Sequence, residues 1–164
     1  MLLSLKDIFV NDGMKSEHRY SLSLSDVELS GIYPFKSDVS VYALIQNKTG
    51  LVTIDIDVEY LYSRPCDRCF VEVEKNVTEH FSHRLVESLE SDDNDEYIEA
   101  TDCKLDLSEL VTTDILLSLP SKYLCMGDCQ GLCHKCGHNL NLGDCDCDKR
   151  EIDPRLEALK QLLD

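Results

Sequence analysis

Eight of the nine cysteines fall in four close pairs: Cys66/Cys69, Cys125/Cys129, Cys133/Cys136 and Cys145/Cys147. Two thiolates so near each other in sequence can face one point, and a tetrahedral metal needs two such pairs. The pairs therefore restrict the fold more than any strand or helix signal does. The opening residues, Met1-Leu-Leu-Ser-Leu-Lys-Asp7, lack a basic n-region and lose their apolar character at Lys6, so they do not read as a secretory signal. Nor does any apolar run approach the ~20 residues of a membrane span. A cytoplasmic, reducing setting is expected, in which cysteines serve as metal ligands rather than disulfides.

Cys133-His-Lys-Cys136-Gly137 offers a turn whose glycine can take positive φ and bring backbone N–H groups to the sulfurs. Cys145-Asp-Cys147 follows closely, so Cys133, Cys136, Cys145 and Cys147 fit a small four-sulfur Zn2+ knuckle. Cys66, Cys69, Cys125 and Cys129 are then expected to share a second structural Zn2+. Closing the loop from Cys69 to Cys125 costs roughly 3–4 kcal/mol from its length, against about 10–16 kcal/mol from a structural zinc site. A competing partition gathers Cys125, Cys129, Cys133 and Cys136 round one ion, at the cost of chain crowding. Cys103 is left over and reads as a small buried hydrophobe. His134 and His138 lie in the knuckle and could replace a cysteine as ligand, but with enough thiols present they read as surface residues.

The first hundred residues carry strand signals. Tyr20, Leu22 and Leu24 alternate with serines, and Val39 to Ile45 is β-branched and apolar. Val52, Ile54, Ile56, Val58 and Tyr60 alternate with Thr53, Asp55, Asp57 and Glu59, the pattern of a half-buried antiparallel strand. Gln46 to Gly50 reads as the hairpin connection between these runs. Alternation resumes through Val71, Val73, Val77, Phe81 and Leu85, which puts Cys66 and Cys69 at the tip of a long hairpin. A helical stripe follows at Leu107, Leu110, Val111, Ile115 and Leu119, capped by Asp106 or Ser108 and stopped by Pro120. Asp153-Pro154 signals a last short helix bearing Leu156, Leu159 and Leu163.

The expected class is α+β: an antiparallel sheet of about five strands with a covering helix, then a C-terminal zinc knuckle plus short helix. The boundary falls between 1–124 and 125–164.

Charge narrows the functions. The chain has 32 acidic and 16 basic residues, a formal net charge of −16, which argues against wrapping naked duplex nucleic acid by phosphate neutralisation and leaves DNA out as a partner. Residues 87 to 109 hold ten of the acids and one base, Lys104, and read as a largely solvated acidic stretch. Basic groups gather by sequence near the cysteines: Arg64, Arg68, Lys122, Lys135, Lys149 and Arg150. These are the candidate contacts to RNA or a partner. A strongly acidic chain also suits basic protein partners. Two all-thiolate sites leave no open metal position, and no phosphate loop, nucleophile elbow or carboxylate pair stands out, so no enzyme is expected. The alternative is a redox-regulated zinc chaperone or a thiol oxidoreductase. The latter needs Cys66-x-x-Cys69 to open a helix, whereas here it joins two strands.

Cys66-Asp-Arg-Cys69, Leu119-Pro120, Leu124-Cys125, the run from Cys129 to Asn141, and Cys145-Asp-Cys147 followed by Asp153-Pro154-Arg155-Leu156 resemble the YceD family. These are the large ribosomal RNA accumulation proteins, and the ending is similar to that of Gram-positive members. The resemblance spans about residues 20 to 163. Phe70 departs from the leucine that many relatives carry after the second cysteine. The resemblance implies a non-enzymatic role in accumulation or processing of large-subunit ribosomal RNA and in large-subunit assembly. It also implies precursor large-subunit rRNA, a basic ribosomal protein, or both, as partner.

Overall fold

The structure, a computed structural model, describes residues 1–88 and 97–147. Its centre is a five-stranded sheet in the order β2-β3-β4-β5-β6: β2 (Lys15–Leu22), β3 (Val39–Lys48), β4 (Leu51–Pro65), β5 (Glu72–Val86) and β6 (Tyr97–Glu99). A second, two-stranded sheet pairs β1 (Leu2–Ser4) with β7 (Lys104–Asp106). Helix α1 (Lys6–Val10) links β1 to β2, and α2 (Leu107–Ser118) follows β7 directly.

The alternation in β4 becomes its pleat. Val52, Ile54, Ile56, Val58, Tyr60 and Tyr62 are all at most 2% exposed and pack with Val39, Val41, Ala43 and Ile45 of β3. The polar face is tied across strands: Asp55 accepts from the Ser82 hydroxyl at 2.7 Å, and His80 meets Asp57 at 2.7 Å. The β3–β4 connection is tighter than the sequence implied. Gln46, Asn47 and Lys48 stay in the ladder, and only Thr49 (φ 55°) and Gly50 (φ 84°) turn, with Lys48 opposite Leu51. Two positive-φ residues make a type I′ turn, whose twist matches the strands it joins.

Four features differ from the sequence reading. Strand β6 joins β5 in parallel, with Arg84 opposite Tyr97, so the sheet is mixed rather than wholly antiparallel. The opening residues, read only as a non-signal, build β1 and α1 and bury Leu5 and Ile8 in the main core. Cys103 is half-buried rather than buried; with Asp102 it turns at positive φ, and its carbonyl accepts from Leu5 N at 2.7 Å. The buried stripe of α2 also includes Asp114, which meets His83 of β5 at 2.8 Å. A carboxylate is tolerated there because an imidazole from the sheet supplies its partner.

Asp106 caps α2, accepting from Ser108 N at 3.0 Å and Glu109 N at 3.3 Å. The helix ends at Ser118, before Pro120, and the chain then crosses to the β4–β5 tip. Tyr123, 4% exposed, anchors that crossing: its ring packs on Tyr62 and its hydroxyl donates to the carbonyls of Tyr62 and Val73, each at 3.2 Å. The expected helix after Asp153 and the core of the acidic stretch, residues 89–96, lie outside the described residues.

Candidate metal centres

The β4–β5 hairpin, with its fourteen ladder pairs from Val52 opposite Leu85 to Pro65 opposite Glu72, carries Cys66 and Cys69 at its far end. The loop closes by two backbone bonds: Phe70 N donates to Cys66 O at 3.0 Å and Cys66 N to Val71 O at 2.9 Å. Cys133 to His138 repeats this closure, with Gly137 N to Cys133 O and Cys133 N to His138 O both at 2.8 Å. The residue after the second cysteine is left-handed in both loops, Phe70 at φ 58° and Gly137 at φ 73°. Glycine takes that conformation freely, whereas a Cβ-bearing residue costs roughly 1–2 kcal/mol. The closure bonds and the sulfurs they position hold Phe70 there, 70% exposed.

Asp67 delivers the second half of the first quartet. Its backbone N donates to Tyr123 O at 2.9 Å and its carboxylate accepts from Tyr123 N at 2.6 Å, so the crossing segment runs beside the Cys66–Cys69 loop into Cys125 and Cys129. Arg68 donates to Cys129 O at 2.7 Å. Gly131 is required on two counts: its φ is +76°, and a Cβ there would lie 3.1 Å from the Arg68 carbonyl.

The sulfurs of Cys66, Cys69, Cys125 and Cys129 thus come within 4.8 Å of one another, and those of Cys133, Cys136, Cys145 and Cys147 form a second such group. Cys125 and Cys129 join Cys66 and Cys69, not Cys133 and Cys136, so the competing partition is not the one adopted. In the first quartet the closest contacts cross between distant segments, Cys66 to Cys129 at 3.8 Å and Cys69 to Cys125 at 3.6 Å. Four sulfurs at about 2.3 Å from a tetrahedral zinc stand about 3.8 Å apart. A disulfide needs about 2.05 Å, and all nine cysteines are free. The donor chemistry therefore fits a closed, four-thiolate metal site.

The electrostatics fit as well. Burial opposes ionisation of Cys66, yet backbone N–H groups of Arg68, Cys125 and Cys69 outweigh it and bring the thiol down to about 6. Backbone N–H groups of Cys136 and Lys135 bring Cys133 to about 6. Burial, then the neighbouring sulfurs, push Cys125 up to about 12, and hydrogen bonding to Cys136 with burial raises Cys147 to about 12. Each quartet already concentrates negative charge on some sulfurs, and a divalent cation would release the protons from the others.

Of the candidate basic residues, Arg64 and Arg68 stand at the first quartet, where Lys75 also lies 4.8 Å over the Tyr123 ring. Arg64 pairs with Asp67 and lies 5.8 Å over the Tyr123 ring, and Arg68 is engaged with Cys129. Lys122 and Lys135 are exposed, as are His134 and His138, while Lys149 and Arg150 lie outside the described residues. Sequence reasoning missed Asp67, Tyr123, Gly131 and Asn141, whose Nδ2 lies 3.3 Å from Cys129 Sγ. The glycine two residues after Cys129 was the available signal for a close approach. Among the described residues no helix is long and apolar enough to cross a membrane.

A family model described as large ribosomal RNA subunit accumulation protein YceD matches residues 54–163. No curated protein and no solved structure matches the chain. The matched span starts in β4, the strand that leads to the Cys66–Cys69 loop, and takes in α2 and all eight paired cysteines. With that span covering more than half of its length, the chain belongs to the YceD family.

Proposed function

We propose that the protein is a non-enzymatic factor for accumulation or processing of large-subunit ribosomal RNA, and so for large-subunit assembly, in the cytoplasm. Each cysteine quartet holds one structural Zn2+. The first quartet carries this reading: it binds the tip of the longest hairpin to the segment leaving α2, and the second quartet builds on that segment. With four thiolates per ion no coordination position remains for a substrate or an activated water, which supports a scaffolding role over a hydrolytic one. The chain's own residues set the site: Asp67 and Tyr123 align the two segments, and the backbone N–H groups stabilise the thiolates.

The end built this way presents large apolar side chains to solvent: Phe70 (70% exposed), Val71 (48%), Met126 (48%) and Leu142 (81%). A partly apolar end on an acidic protein supports contact with precursor large-subunit rRNA, a basic ribosomal protein, or both. The test is depletion of the protein in its own host, with the ratio of large- to small-subunit rRNA and the precursor ends measured in the same samples. A selective fall in large-subunit rRNA, restored by the wild-type chain but not by Cys66→Ser/Cys69→Ser, is expected. An unchanged ratio would refute the role. Thiols that react rapidly without a chelator would instead favour thiol redox chemistry.

A further inference from the structure

Within the second quartet's loop, between Cys136 and Cys145, a 3-10 turn spans Leu140–Leu142. Its middle residue, Asn141, reaches out of that loop to the first quartet. The side-chain Oδ1 accepts from Gln130 N at 2.7 Å, and Nδ2 lies 3.3 Å from Cys129 Sγ and 2.8 Å from Asn139 Oδ1. The amide orientation is fixed by its partners, because Gln130 N–H can only donate and therefore demands the oxygen. The turn is seated by Leu140 N donating to Gly131 O at 2.9 Å and by a bridge between Leu132 and Asn139.

We infer that Asn141 is a positioning residue through which metal at the second quartet strengthens metal binding at the first. The inference rests on reading both quartets as metal sites. A donor to a ligating thiolate stabilises its charge and fixes its direction, and loss of such an outer partner commonly costs 10–100-fold in metal affinity. Asn141 can serve Cys129 only while its turn is formed, and that turn belongs to the loop that metal at Cys136 and Cys145 closes. Because coupling is reciprocal, each ion raises the other's affinity by the same factor. The two sites are then neither one cluster nor independent modules.

The experiment uses the full chain and Zn2+, with chelator competition for affinities and native mass spectrometry to resolve one- and two-zinc states. Asn141→Ala should weaken the first site 10–100-fold. Asn141→Asp keeps an acceptor for Gln130 N but sets a carboxylate beside the Cys129 thiolate, and should weaken the site at least as much. Cys145→Ser/Cys147→Ser, which disables the second site, should weaken the first by a similar factor in the wild-type background and add nothing in the Asn141→Ala background. Circular dichroism of each metal-loaded variant checks that the sheet is retained. Equal first-site affinity in wild type and both Asn141 variants would overturn the inference, as would effects that multiply in the combined variant. Failure of the wild-type chain to bind zinc at either quartet would instead overturn the metal reading on which the coupling stands.

Discussion

Replacing Cys66 and Cys69 by serine should lower the stability of the whole sheet, because the first quartet is tied to the core rather than appended to it. Cys66 is 0% exposed, and the segment it binds places Tyr123 among Tyr62, Val73 and the main core. Metal bound only by the folded chain stabilises it by about 4.1 kcal/mol when free zinc stands at 1,000 times the dissociation constant. For a chain of this size each kcal/mol moves the melting temperature by roughly 2–4 °C, so the variant should melt roughly 8–16 °C below wild type. Each tenfold rise in free zinc should also raise the wild-type midpoint by roughly 3–6 °C through this site alone. The assay is far-UV circular dichroism melting of both chains across a series of zinc buffers. A variant that melts with wild type and keeps the full zinc dependence would refute the coupling of site to core.

Gly131→Ala should cost about 1–2 kcal/mol from its left-handed φ, with further loss from the 3.1 Å approach of the Arg68 carbonyl; zinc affinity at the first site and the melting midpoint both report it, and unchanged values would mean that the close approach relaxes freely. Tyr123→Phe removes the hydroxyl that both Tyr62 and Val73 carbonyls accept and should cost about 1 kcal/mol, read as a lower midpoint with two zinc ions still bound. Zinc loading at neutral pH should release protons, since the Cys69, Cys125, Cys145 and Cys147 thiols are raised and stay protonated in the metal-free chain. The sign follows: protons compete with zinc for these sulfurs, so affinity falls as pH falls. Calorimetry in buffers of different ionisation enthalpy measures the release, and a buffer-independent enthalpy would contradict it.

The sequence showed best what strict periodicity or close spacing encodes. The β4 alternation allows only one buried face, and the interruption at Ser63 to Cys69 separates two runs that can pair only as a hairpin, so the position of the first cysteine pair was legible. The sulfur groups could be proposed because each pair is incomplete alone. Strand β6 was hidden because three residues beside an acidic run carry no period, and its parallel pairing depends on β5 being in place. Asp114 escaped because its burial depends on His83, thirty-one residues away and on another element. Asn141 was equally silent: an asparagine's value as a sulfur partner arises only after two loops have met. Phe70 runs the other way, since an aromatic residue gives no sequence hint of positive φ.

The most direct measurement is the zinc content of the 164-residue chain, purified without chelator, set beside that of the Cys66→Ser/Cys69→Ser and Cys145→Ser/Cys147→Ser variants. Two ions per wild-type chain are expected from the two sulfur groups, with the first variant losing the ion of the hairpin site and the second losing that of the C-terminal knuckle. A wild-type chain that binds no metal, or one whose content is untouched by removal of either pair, would contradict the two-site account.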